Sequence, residues 1–178
     1  MKIVSTLAFL ALVAVAVAAL TLTPAPAQPG GLIVVELYQS QGCSSCPPAN
    51  ANVAAISDRP DVLALSFAVT YWDHLGWRDT FAKQQFTARQ YAYAHGLGHS
   101  NVYTPQVVLN GQADLSAVDS GELAAAMSRV PRVSSQSIAL TNGAVQIGAG
   151  QPQPPADVWL VRYDRRTLPV PISAGENG

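Results

Sequence analysis

Charge is sparse in this sequence. Only 12% of its 178 residues are Asp, Glu, Lys or Arg, and the two signs nearly cancel to a net −1. That balance excludes the basic footprint that nucleic acid or an anionic lipid surface requires, so neither is expected as a partner. Recognisable enzyme signatures are missing too. There is no Gly-rich phosphate loop, no G-x-S-x-G elbow and no H-E-x-x-H, which removes the common phosphoryl-transfer, serine-hydrolase and zinc-protease readings. No motif asks for a cofactor, and no internal repeat is visible. Cysteine is scarce at two residues, yet those two carry most of the functional information.

What the chain does have is apolar material. At 49% hydrophobic residues over 178 positions, it holds enough for the core of one ordinary domain, with room for a small appendage. Part of that excess sits at the N-terminus. Lys2 is followed by an apolar run from Ile3 to about Leu22, then Thr23-Pro24-Ala25-Pro26-Ala27-Gln28. A positive start, an apolar stretch and small residues in an Ala-x-Ala arrangement describe a secretory signal cleaved after Ala27. The expected product is exported, to the periplasm or the medium. It meets a membrane only if the segment stays uncleaved, since about 20 apolar residues suffice to span one. No cysteine follows the run to carry a lipid anchor.

In an exported chain, Cys43 and Cys46 invite a disulfide. A bridge across two intervening residues closes a tiny loop and removes little chain entropy, so it is a poor staple. Close C-x-x-C pairs are useful mainly because they open and reclose. Half of a metal site and an inert bridge remain the alternatives for the bare motif.

The surrounding pattern alternates strand and helix. Leu32–Tyr38 reads as a buried strand, and Ala49–Ile56 as a helix whose first turn accommodates Pro47 and Pro48. Val62–Val69 is a second strand, giving a β–α–β unit of the kind that builds parallel sheets. A loop, Tyr71-Trp72-Asp73-His74-Leu75-Gly76-Trp77-Arg78, precedes a helix over Thr80–His95, capped by Asp79 or Thr80. Phe81, Phe86 and Tyr93 are spaced to share its buried face. Val102–Leu109 is a strand turned by Asn110-Gly111 into a hairpin, and Ser120–Val130 is the last helix. From Pro131 on the texture changes to short strands, Val133–Leu140, Ala144–Ile147 and Val158–Tyr163. The expected division is a signal over 1–27, a linker over 28–31, an α/β domain over 32–130 and a β-rich extension over 131–178.

This order of elements resembles the thioredoxin-like fold, a central mixed sheet flanked by helices, here with a small C-terminal β appendage. Three stretches are similar to one bacterial exported thioredoxin-like family catalogued as a domain of unknown function. They are Val35-Glu36-Leu37-Tyr38-Gln39-Ser40-Gln41-Gly42-Cys43-Ser44-Ser45-Cys46-Pro47-Pro48-Ala49, Tyr71 to Trp77, and Val102-Tyr103-Thr104-Pro105-Gln106. Members of that family usually continue beyond the segment Gly175-Glu176-Asn177-Gly178, so the resemblance implies an appendage cut short here.

The resemblance assigns roles. Cys43 is the exposed nucleophile and Cys46 the buried resolving thiol, with activation from the helix start because no Lys, Arg or His adjoins the pair. Thr104-Pro105 is expected as a cis peptide beside the cysteines, with Thr104 offering backbone groups to a substrate; an ordinary trans proline at a sheet edge is the alternative. Glu36, an acid in an apolar strand, is a candidate proton relay to Cys46, or else a carboxylate reaching the sheet edge. Tyr71, Trp72 and Trp77 either wall a substrate groove or cover the core. His74, His95 and His99 are expected as surface or satisfied histidines, and no metal ligand is assigned. The function expected is thiol–disulfide exchange with exported protein or small thiols, reset by an unidentified redox partner. A copper-binding module using the cysteines and a histidine, and a non-catalytic binding domain, are the competing readings.

Overall fold

The computed structural model describes residues 31–132 and 137–149. The expected signal, most of the linker, the first part of the Val133–Leu140 strand and all of Val158–Tyr163 lie outside the described residues.

The sheet is organised around its most apolar strand. β1 (Ile33–Gln39) has hydrogen-bonded neighbours on both sides, with β2 (Val62–Ala68) parallel to it and β3 (Gln106–Leu109) antiparallel. β4 (Ala113–Leu115) extends the sheet beyond β3, giving the order β2-β1-β3-β4. A strand so placed has its backbone satisfied on both edges and both faces free to bury side chains, which is why the run is nearly continuously apolar.

Alternation along β1 divides the core in two. Ile33, Val35 and Leu37 join Ala49 and Val53 of α1 (Cys46–Ile56) and Leu123 and Met127 of α3 (Ser120–Arg129). Tyr38 turns to the other face, where Val108, Val69, Phe67 and Tyr93 of α2 (Gln84–Gly96) gather. Helices thus flank a four-stranded mixed sheet, an α/β architecture compatible with the thioredoxin-like expectation.

Local chemistry fixes the ends of these elements. Asn110 and Gly111 take positive φ of 50° and 68° in the β3–β4 turn. The Asn110 side-chain oxygen accepts from Val34 N at 2.7 Å while the Asn110 backbone N–H donates to Val34 O, so the turn residue prolongs the β1–β3 ladder. Asp119 caps α3 by accepting from Glu122 N at 2.8 Å.

Apart from one-residue shifts, three boundaries differ from the sequence reading. α1 begins at Cys46 rather than Ala49, so the second cysteine is itself helical. α2 begins at Gln84, because the Asp79 carboxylate accepts from Phe81 N inside a separate turn and Lys83 is extended. Phe81 therefore falls outside the helical register and is exposed, leaving Thr87, Gln90 and Ala94 as the buried face with Phe86 and Tyr93 beside it. β3 is shorter than Val102–Leu109 because Pro105 has no amide hydrogen for the ladder. Farther on, β5 (Ile138–Thr141) and β6 (Ala144–Ile147) form a separate antiparallel hairpin around Asn142-Gly143.

Leu109, wholly buried on β3, reports on the main core. Leu109→Ala should lower stability by about 2–5 kcal/mol, the usual range for such a truncation, with urea unfolding as the readout.

Candidate functional site

β1 delivers the chain into a tight loop. Gly42 N donates to Ser40 Oγ at 3.1 Å and Cys43 N to Ser40 O at 3.1 Å, turning the backbone at once after the strand. Cys43 and Cys46 are joined by a disulfide with a Cα–Cα separation of 5.4 Å. Both cysteines are fully covered, at 0% exposure, although Ser44 and Ser45 between them face solvent. This corrects the expectation of an exposed Cys43.

Ser45 links the pair to the second motif. Its Oγ lies 3.6 Å from Cys43 Sγ and donates to Thr104 O at 3.4 Å. The Thr104–Pro105 peptide is cis and Pro105 is buried. The antiparallel pairing of Tyr38 with Gln106 brings the residues before β3 to the end of β1 from which the cysteines issue.

The helix start offers Cys43 less than the sequence suggested. Cys46 N is already committed to Cys43 O at 3.1 Å, and Pro47 and Pro48 bring no N–H. Of the usual unpaired first-turn donors, few are left. What reaches Cys43 is mainly the positive end of the helix dipole, assisted by the Ser45 hydroxyl.

The aromatic loop closes over this end of the sheet. Trp72 Nε1 donates to Thr104 Oγ1 at 2.8 Å, and Trp77 Nε1 to Gln41 Oε1 at 2.7 Å. Tyr71 points elsewhere, donating to Gln90 Oε1 at 3.2 Å and packing with the α2-side core. Trp72 and Trp77 are thus tied directly to residues flanking the cysteines and the proline, and Tyr71, held mainly toward Gln90, also interacts with the Thr104 side chain. Asp79, buried, accepts from Gln41 N at 2.7 Å and pins the loop's far end to the residue two before Cys43.

Glu36 is not placed to relay protons to Cys46. It shares the parity of Tyr38 and lies on the α2 face of the sheet, whereas Cys46 opens α1 on the opposite face. Its carboxylate receives Arg89 through two bonds of 2.7 and 2.9 Å, and the hydroxyls of Tyr93 at 2.6 Å and Tyr38 at 3.2 Å. Burial pushes the Glu36 carboxyl up, but these donors together outweigh it and hold it below its ordinary value. Burial, reinforced by Glu36, pushes the Tyr93 phenol up to about 12.

A polar network escaped the sequence reading. Gln90 and Gln106, both wholly buried, pair at 2.8 Å, and Gln90 Nε2 also holds Tyr103 O at 2.7 Å, one residue before Thr104. Gln106 Nε2 continues to Asp114, which also accepts from the Tyr103 hydroxyl at 2.6 Å and faces His99 Nε2 at 2.8 Å. The available signal was Gln106 itself, an amide in an otherwise Val-Val-Leu strand, which needs a partner when buried. His74 faces Tyr71 O, and His95 is exposed. Among the described residues, no group of three or more His, Cys, Asp or Glu is placed to hold a metal ion. A hollow of about 380 Å³ beside β2 is lined by Phe81, Lys83 and Phe86 and touches neither cysteine.

The geometry defines an α/β protein with a covered C-x-x-C disulfide set against a cis-proline turn. The chain belongs to the family described as a protein of unknown function, DUF1223, whose model matches residues 34–178. It is similar to the crystal structure of a protein from Agrobacterium tumefaciens, with 42% identity and a TM-score of 0.53 over 57% of this chain. The matched part spans 46% of that protein's length. No curated protein matches the chain.

The Glu36–Arg89 pair gives a pH-dependent prediction. Above the ordinary carboxyl value of 4.5 its native contacts contribute fully. As pH falls below that value the unfolded chain takes up the proton first, and the contribution is lost through the lowered native pKa. Arg89→Met should therefore cost about 2 kcal/mol at pH 7, a figure kept low because Arg89 is half exposed. The cost should shrink toward pH 3 in urea unfolding, and an equal loss at both pH values would contradict this.

Proposed function

We propose that this protein is an exported thioredoxin-like thiol–disulfide oxidoreductase working through Cys43 and Cys46. The observation that carries the reading is the disulfide at the start of α1, linked through Ser45 to Thr104 next to the cis Pro105. Its value as a staple is small. Closing so short a loop is worth about 2 kcal/mol in the chain-entropy model, against about 5 for a loop of 100 residues. A bridge of little structural worth, at a helix start and beside a backbone turn able to take a substrate chain, suits exchange better than reinforcement.

The chemistry follows from thiolate reactivity. In the reduced pair, the Cys43 thiolate attacks a substrate disulfide, forms a mixed disulfide and expels one substrate thiolate. Cys46 loses its proton to solvent and attacks Cys43 Sγ. The second substrate thiolate leaves and the Cys43–Cys46 bond reforms. Two electrons pass from the pair to the substrate, and a separate thiol-bearing partner returns them. The reverse sequence oxidises substrate thiols. Ser45 and the α1 dipole stabilise the Cys43 thiolate in either direction.

Substrates on this reading are thiols or disulfides of exported proteins. Thr104 and Pro105 present backbone to them, and Trp72 and Trp77 wall the approach, with Tyr71 packed behind Trp72. The Lys2-to-Ala27 features of the sequence support a periplasmic or secreted location.

Purified protein should accelerate reduction or exchange of a disulfide substrate. Cys43→Ser should abolish the acceleration, and Cys46→Ser should stall as a mixed disulfide visible on a non-reducing gel. Wild-type and Cys43→Ser rates that both equal the uncatalysed background would sink the proposal.

A further inference from the structure

We infer that Trp72 is a shield over the disulfide and that its hydrogen bond to Thr104 is the latch holding the shield shut. This rests on the reading of Cys43 as the exchanging sulfur. An incoming thiolate must reach a sulfur in line with the bond it breaks. Cys43 is 0% exposed, although its neighbours Ser44 and Ser45 are exposed. Some group must move before exchange begins.

Trp72 is that group. At its backbone end it lies on Gly42, where an added Cβ would stand 3.3 Å from Trp72 Cβ and 3.7 Å from Trp72 O. At its far end Nε1 donates to Thr104 Oγ1 at 2.8 Å. Thr104 O in turn meets Ser45 Oγ, which lies 3.6 Å from Cys43 Sγ. The indole thus runs from the residue before Cys43 to the residue before Pro105, with its ring also packed against the Tyr38, Val69 and Val108 cluster, and on this inference it crosses the path a reagent would use.

The loop around Trp72 is built to open locally. Beyond Trp72 it continues as a three-residue 3-10 turn, Asp73–Leu75, ending at Gly76 with φ of 101°, and Leu75 is exposed. Its far side is anchored by Trp77 to Gln41 and by Asp79 to Gln41 N. The segment between those anchors and β2 therefore has a fixed end, while the indole, packed by its ring against the Tyr38 cluster, is joined to the proline turn by one side-chain hydrogen bond. A shield of this kind discriminates against small free thiols and favours a substrate chain that competes for Thr104.

The test uses oxidised full-length protein and dithiothreitol as the probe. One dithiothreitol thiolate attacks Cys43 Sγ and Cys46 leaves as a thiolate. The second dithiothreitol thiol then closes its ring and releases Cys43, two electrons having passed to the protein. The rate is followed by trapping the freed thiols. Trp72→Phe and Thr104→Val each delete the latch and should each accelerate reduction about fivefold, the factor carried by one hydrogen bond of ordinary net strength. Because both remove the same bond, the double variant should be no faster than either single one. Gly42→Ala, which presses on Trp72 from the other side, should also accelerate it. These rates should stay flat in low urea, the mark of local opening.

Latch variants that reduce at the wild-type rate, or effects that simply add, would overturn the inference. So would a steep urea dependence, because exposure would then need global unfolding. Dithiothreitol supplies its own electrons, so the two readings fail separately. A fast latch variant without catalysed exchange removes the oxidoreductase reading alone. Catalysed exchange with unaltered latch variants removes the shield alone.

Discussion

Tyr38 pairs with Gln106 across β1 and β3, and Gln39 pairs with Ala68 across β1 and β2. These pairings decide where three chain segments leave the sheet. The cysteine loop follows β1, the aromatic loop follows β2, and Thr104-Pro105 immediately precedes β3. Because β2 runs parallel to β1 and β3 antiparallel, all three emerge at one end. A one-residue slip would turn every β1 side chain to the wrong face and separate the segments. Everything proposed for the site depends on that register.

The same alternation separates two kinds of chemistry. On the α1 and α3 face, aliphatic packing seats the helix whose first residue is Cys46. On the α2 face, Glu36, Arg89, Tyr93 and Tyr38 form a satisfied polar group inside an aromatic cluster. That carboxylate is compensated by three donors, which makes it a tie between β1 and α2 rather than a reactive acid. The polar groups nearer the disulfide are Ser45, Gln41 and Thr104, which hold the loops around it.

Much of this was legible in the residues. The cysteine pair, the first two strands to within a residue at each end, and the Asn110-Gly111 turn follow from β-branched runs and turn chemistry, while the cis bond before Pro105 is implied by the family resemblance. The rest depends on tertiary partners. Glu36 reads as a lone acid until its parity and Arg89, 53 positions away, are known. Asp79 reads as a helix cap until Gln41 N and Phe81 N claim its carboxylate first. The burial of Cys43 is invisible because it depends on tertiary packing rather than on the residues beside it, Ser44 and Ser45 being exposed. Gln106 stands out in its apolar strand, but its partner Gln90, 16 positions away, is known only from the fold.

The central claim is that Cys43 and Cys46 cycle between thiol and disulfide. The most direct measurement is rapid alkylation of the protein in the cells and medium of an expressing culture, followed by quantifying the trapped Cys43 and Cys46 thiols by mass. A cycling pair predicts a measurable reduced fraction that rises and falls with the thiol–disulfide balance of the surrounding medium. A pair found wholly oxidised at every balance up to strongly reducing conditions would contradict it and leave the bridge a structural one.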